Sequence, residues 1–121
     1  QKVRRETWAY APEESLSNVA LIKEQYQGIR PAPGYPACPD HLDKKQIWTL
    51  LDAENTVEAT LTETLAMQPA SAVSGYYFAH PESRYLGVGL IADDQIQSLA
   101  RRRGIPLESM KRWLSANLLD A

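Results

Sequence analysis

The sequence predicts an α+β chain in which a small antiparallel β-sheet is flanked by helices. Three observations lead there. Two β-rich runs, 72–79 and 84–91, are separated by the turn-type residues His80, Pro81, Glu82 and Ser83, the arrangement of an antiparallel hairpin. On either side of them, apolar residues recur at helical spacing behind capping residues. Finally, residues 28–41 hold four of the eight prolines, two of the six glycines, the single cysteine and one of the two histidines. Proline fixes φ and lacks a backbone donor, so this run continues neither a helix nor a central strand and is expected as an extended, pre-ordered loop.

Residues 1–10 mix Lys2, Arg4, Arg5 and Glu6 with Val3, Trp8 and Tyr10, which predicts the end of an amphipathic helix, stopped at Pro12. A short helix is expected over 17–25, with Ser17 or Asn18 as N-cap and Gly28 closing it before the loop. Beyond the loop, Asp40 is an N-cap for a helix over about 41–54, with Ile47, Trp48, Leu50 and Leu51 buried and Lys44 and Lys45 facing water. Alternation over 60–67 predicts a strand ending at Gln68 and Pro69. In the run 84–91, Leu86, Val88 and Leu90 share one face, and Gly87 and Gly89 leave room on the other for a close approach. Asp93 opens a helix reaching Arg103, with Ile96, Leu99 and Ala100 inward and Gly104 at its end, and a last helix after Pro106 carries Met110, Trp113 and Leu114.

With 121 residues and 44% hydrophobic content, one domain is expected, able to bury roughly two thirds of its unfolded surface. Thirteen basic against fifteen acidic residues, with no basic stripe interleaved with aromatics, argue against nucleic acid or an anionic membrane as partner. A single cysteine forms no internal disulfide and suits a reducing cytoplasm. No apolar run approaches the ~20 residues of a membrane span. Nothing near Gln1 reads as a signal peptide, and a start other than Met fits a fragment.

A stiff loop carrying one guanidinium and one aromatic suits a small polar ligand, because binding orders little that was disordered. Arg30 offers a planar fork that matches a carboxylate; the plainer alternative is an arginine capping loop carbonyls. Ala32 and Gly34 are small where a backbone approaches a ligand, or where a turn is merely tight. The carbonyls between the prolines have no sheet to pair with and are expected to accept from a ligand amino group. Tyr35 is a ligand-facing or a packing aromatic. Cys38 and His41 stand at a spacing that two zinc ligands tolerate, yet a structural site needs four, and no third group orients them as a nucleophilic pair. Gly87, Gly89 and Ala92 fit the dinucleotide pattern G-x-G-x-x-A, but the glycines fall inside an alternating run instead of a strand-to-helix turn, which argues against a Rossmann site.

The motif Arg-Pro-Ala-Pro-Gly-Tyr-Pro-Ala-Cys-Pro-Asp-His at 30–41 resembles the signature of the S-adenosylmethionine (AdoMet)-binding activation domain of cobalamin-dependent methionine synthase. Further blocks of that family are matched in order by Trp-Ala-Tyr-Ala-Pro at 8–12, Leu-Thr-Glu at 61–63, Val-Ser-Gly-Tyr-Tyr-Phe-Ala-His-Pro at 73–81 and Arg-Trp-Leu at 112–114. The resemblance implies that 1–121 is the C-terminal portion of an activation domain, with a further half of that domain N-terminal to Gln1. It implies an AdoMet site in which Arg30 clamps the carboxylate and the Pro31, Ala32, Gly34 and Tyr35 backbone holds adenine and ribose. Tyr35 then also faces the cobalamin, and Tyr85 touches AdoMet. Leu86 stands where the family often has a second aromatic, which leaves a backbone contact there. The full enzyme moves a methyl group from methyltetrahydrofolate to homocysteine through cobalamin. When cob(II)alamin forms, the activation domain positions AdoMet for reductive remethylation. The cobalamin is held by a partner domain, the electron comes from flavodoxin or an equivalent reductase, and zinc belongs to another module of the enzyme. This portion is then a binding module without catalysis of its own. Two alternatives from other classes are a stand-alone AdoMet-dependent methyltransferase and an interaction scaffold of the same fold that no longer binds AdoMet.

Overall fold

The computed structural model describes residues 1–119. Two compact units are distinguished: one of Gln1–Ile29 with Tyr77–Arg84, the other of Arg30–Tyr76 with the chain from Tyr85 onward.

In the first unit, the expected helix over 1–10 is a single π-helical turn, Val3–Thr7. Its Arg4 packs over the Tyr26 ring and bonds both carboxylate oxygens of Glu14 at 2.9 Å through Nε. Helix α1, Asn18–Ile22, is shorter than the periodicity suggests. Ser17 caps it as expected, its Oγ accepting from the Ala20 N–H at 3.2 Å. Gly28 does not close it: Lys23 is the C-cap, and Gly28, at φ +92, instead lets the Trp8 ring and the Phe78 carbonyl approach where a Cβ would stand. Ile29 and Phe78 exchange two backbone hydrogen bonds of 2.9 Å.

The second unit is mostly helical with one small antiparallel sheet. Helix α2, Asp43–Leu51, ends where Asp52 adopts φ +47, and α3, Ala53–Val57, follows. The predicted 41–54 helix is therefore two helices, since a left-handed residue cannot continue the hydrogen-bond ladder. Asp40 Oδ1 accepts from the Leu42 N–H at 2.9 Å, just ahead of the N-cap. The expected burial is inverted at three positions: Leu50 and Leu51 are 82% and 63% exposed, while Lys44 is only 6% exposed. Lys44 tolerates burial because its Nζ donates to the Leu65 carbonyl at 2.8 Å. Ile47 is buried and Trp48 half-buried, the latter donating from Nε1 to the Ala59 carbonyl at 2.8 Å.

The single predicted strand over 60–67 is a hairpin of β1, Thr60–Leu61, and β2, Met67–Gln68, paired Thr60 to Gln68 and Leu61 to Met67. Its turn places Leu65, at φ +61, in the core. The hairpin expected from 72–79 and 84–91 does not form. Their backbone groups pair with the proline loop and the C-terminal tail instead: Tyr76 N–H with the Pro31 carbonyl, Val88 N–H with the Pro36 carbonyl, both at 2.9 Å, and Ile91 with Asn117 and Leu119. The α+β class stands, with the sheet one hairpin earlier in the chain than expected.

Helices α4, Asp93–Arg103, and α5, Leu107–Trp113, pack together across Gly104, which takes φ +67 as C-cap. Ala92, not Asp93, is the N-cap of α4, and the Gln95 side chain accepts its N–H at 2.9 Å. Ile96, Ala100, Met110 and Leu114 meet Leu42 and Leu65 in the core of this unit. Met110→Ala is expected to destabilise the chain by about 2–5 kcal/mol, whereas Leu50→Ser shifts stability by no more than about 0.5 kcal/mol. Urea unfolding midpoints check both.

Candidate functional site

The proline loop is fixed at both ends and along its spine. At its start the Arg30 N–H donates to the Tyr85 hydroxyl oxygen at 2.8 Å, which brings together two residues 55 positions apart. The Pro31 carbonyl accepts from Tyr76 while the Gly75 α-carbon lies against it, so closely that a Cβ on Gly75 would stand 2.7 Å from that oxygen. The middle is a tight double turn: Gly34 N–H donates to the Cys38 carbonyl at 2.7 Å and Cys38 N–H to the Tyr35 carbonyl at 2.8 Å. Gly34 is required here, with φ +99 and the His41 ring where its Cβ would lie.

The far end is held by charge. Arg103, the last residue of α4, donates through Nη2 to Asp40 Oδ2 at 2.5 Å and also to Asp43 Oδ1. Burial strips water from the guanidinium, yet its bond to Asp43 and the field of Asp40 raise its pKa. The Asp43 carboxylate also receives the Cys38 thiol at 3.7 Å and a hydrogen bond from the Tyr76 hydroxyl. Burial first, and then Asp43, push the Tyr76 pKa up and the Cys38 thiol to about 11. Cys38 is therefore a neutral thiol, bonded to an acid, while His41 bonds Lys44. The two residues turn to different partners.

Of the sequence-predicted residues, Arg30, Gly34 and Tyr35 are exposed, Tyr35 by 66%, whereas Pro31 is buried and Ala32 half-buried. Tyr85 joins them through its bond to Arg30, and Leu86 lies beside it, exposed. The ion pairs of the described residues belong to Arg4, Arg103 and Lys111, and the Arg30 guanidinium takes no acidic partner among them. It does not cap loop carbonyls either. Those of Pro31, Ala32, Tyr35 and Pro36 each accept from a backbone N–H, so part of the spine expected to be unpaired is already engaged within the protein. Sequence reasoning missed the parts played by Gly75 and Arg103, weighed His41 only beside Cys38, and placed Lys44 in water. Only Gly75, between Ser74 and two tyrosines, carried a visible hint of close approach.

Fold and site together define a helix-rich α+β chain organised around a rigid loop that presents an arginine and two tyrosines. The family model of the vitamin B12 dependent methionine synthase activation domain matches residues 1–104. The chain belongs to that family. It is also similar to a solved structure, the crystal structure of the MetH reactivation domain bound to AdoHcy, at 52% identity and a TM-score of 0.93. The match covers 99% of this chain and 37% of that one, so this chain spans well under half of that structure's length.

Two predictions follow from the loop's bracing. Arg103→Met leaves Asp40 and Asp43 without their cation and should cost about 2–3 kcal/mol, below the range for fully buried pairs because water still reaches this one; the urea midpoint reads it. With its thiol pushed up to about 11, less thiolate is present but each thiolate is more nucleophilic, so Cys38 should alkylate with iodoacetamide about tenfold more slowly at pH 8 than an exposed cysteine.

Proposed function

We propose that this chain is the C-terminal portion of the AdoMet-binding activation domain of a cobalamin-dependent methionine synthase, and that it positions AdoMet for reductive remethylation of cobalamin carried by a partner domain. The observation that carries the reading is the Arg30 guanidinium, exposed on a braced loop and without an acidic partner among the described residues. Support comes from a relative of 52% identity whose structure is described as bound to AdoHcy, the demethylated form of AdoMet.

The residues fit such a ligand. Arg30 binds its carboxylate as a planar fork. The backbone of Pro31, Ala32 and Gly34 flanks adenine and ribose, and the small side chains at 32 and 34 permit that approach. Tyr35 and Tyr85 orient the sulfonium end, with Tyr35 also facing the cobalamin and Leu86 offering its backbone. AdoMet supplies the methyl group, and the chain's own part is orientation, for which no acid or base is required. In this reading the partners are the cobalamin-binding domain and flavodoxin or an equivalent reductase, the setting is the cytoplasm, and zinc lies in another module. Neither a membrane nor nucleic acid takes part. Among the described residues, no helix is long and apolar enough to cross a membrane.

Calorimetric titration of AdoMet into the chain and its Arg30→Ala variant tests the reading. Charged hydrogen bonds are worth about 1.5–3 kcal/mol, so affinity should fall by roughly 10- to 150-fold. Equal affinity in the two proteins would contradict the assignment of Arg30.

A further inference from the structure

Behind the exposed turn lies a chain of contacts that the ligand reading does not use. The His41 ring fills the side of Gly34 where a Cβ would stand, with Nδ1 and Nε2 only 2.8 and 2.9 Å from that position. His41 Nδ1 is 3.1 Å from Lys44 Nζ, and an ammonium only donates. Nδ1 is therefore the acceptor, and the ring carries its proton on Nε2. Lys44 has little freedom to retreat, being buried with Nζ on the Leu65 carbonyl at 2.8 Å. From α5, Trp113 brings an uncharged ring whose centroid lies 6.5 Å from that of His41. The Leu65 carbonyl, Lys44, His41 and Gly34 thus form a continuous prop from the core to the turn that exposes Tyr35.

We propose that His41, held by Lys44, is a positioning residue that keeps the turn at Gly34 and Tyr35 in its ligand-binding shape only while the imidazole is neutral. The inference rests on the AdoMet reading for its effect on affinity. The charged groups facing the ring are Lys44 from α2 and Asp40 from the loop. Asp40 offers little compensation for a second cation, since its carboxylate already accepts from the Leu42 N–H and from Arg103. A proton on Nδ1 removes the lone pair that Lys44 uses and sets two positive charges about 3 Å apart. Because Lys44 is pinned, it is the imidazole that leaves Gly34.

Burial, and next Lys44, lower the His41 pKa from the ordinary 6.5, with Asp40 opposing. The prop is therefore intact above pH 6.5 and is lost as pH falls through the lowered value. With a folded-state pKa below the unfolded one, stability moves in the same direction.

The test follows the free chain by 15N NMR between pH 4.5 and 8 and measures AdoHcy affinity over the same range, in the wild type, His41→Gln and Lys44→Met. The glutamine keeps an acceptor and does not titrate, and the ligand's own ionisation is common to all three proteins. The Gly34 and Tyr35 amide signals should move together in one transition below pH 6.5. That transition should vanish in His41→Gln and rise toward 6.5 in Lys44→Met. Wild-type affinity should fall up to tenfold per pH unit through it and stay level in His41→Gln. Amide signals that ignore the His41 titration, or an equal acid loss of affinity in His41→Gln, would overturn the inference. If His41→Gln fails to fold, the shift of the transition in Lys44→Met decides. Failure to bind AdoHcy at pH 7.5, both by this chain and with the N-terminal half of the domain restored, would refute the AdoMet reading, and the amide titration would then decide alone whether His41 sets the turn.

Discussion

Arg103 is the point on which the candidate site depends. Its guanidinium joins the C-terminal end of α4 to Asp40 and Asp43, where the proline loop passes into α2. Removing either the helix or the acids would release one end of a loop that is otherwise held by uncharged contacts, among them the bonds from Tyr76 and Val88 and the one to the Tyr85 hydroxyl. Asp43 is itself shared between Arg103, the Cys38 thiol and the Tyr76 hydroxyl, so loop, helix and the segment before Tyr77 are fastened at one carboxylate. The charges are compensated, as two acids so near each other require.

Prolines stiffen the loop without hydrogen-bonding it, and the rest of this unit supplies what they lack. Tyr76 and Val88 donate to the carbonyls of Pro31 and Pro36, and the Tyr85 hydroxyl accepts from Arg30. These bonds explain why two strand-like runs do not pair with each other. Their alternation is real, but the loop and the C-terminal tail are the competing partners, and nothing local in 72–91 reveals them. Period sets which face a residue occupies, not which segment lies beside it.

The helices were legible where the signal was local. Ser17 as cap, Gly104 as stop, and Ile96 and Ala100 as the inward face of α4 all follow from spacing and capping chemistry. Helix α2 was misread because apolarity was equated with burial. Leu50 and Leu51 face outward, and Lys44 goes inward because a carbonyl in a turn twenty-one residues later satisfies it. The site divides in the same way. As candidates, Arg30, Gly34 and Tyr35 stand out by residue type and Tyr85 only through the resemblance, while Arg103, Gly75, His41 and Lys44 serve the loop through contacts that only the fold creates.

The central claim is that this loop, with Tyr85 beside it, is where AdoMet sits. The most direct measurement is a titration of 15N-labelled chain with AdoHcy, mapping amide shift changes residue by residue. The account predicts changes concentrated at residues 30–35 and 85–86, with α2 and α3 silent beyond Ile47. Saturable binding whose changes fall on the exposed Leu50, Leu51 and Val57 instead would contradict it.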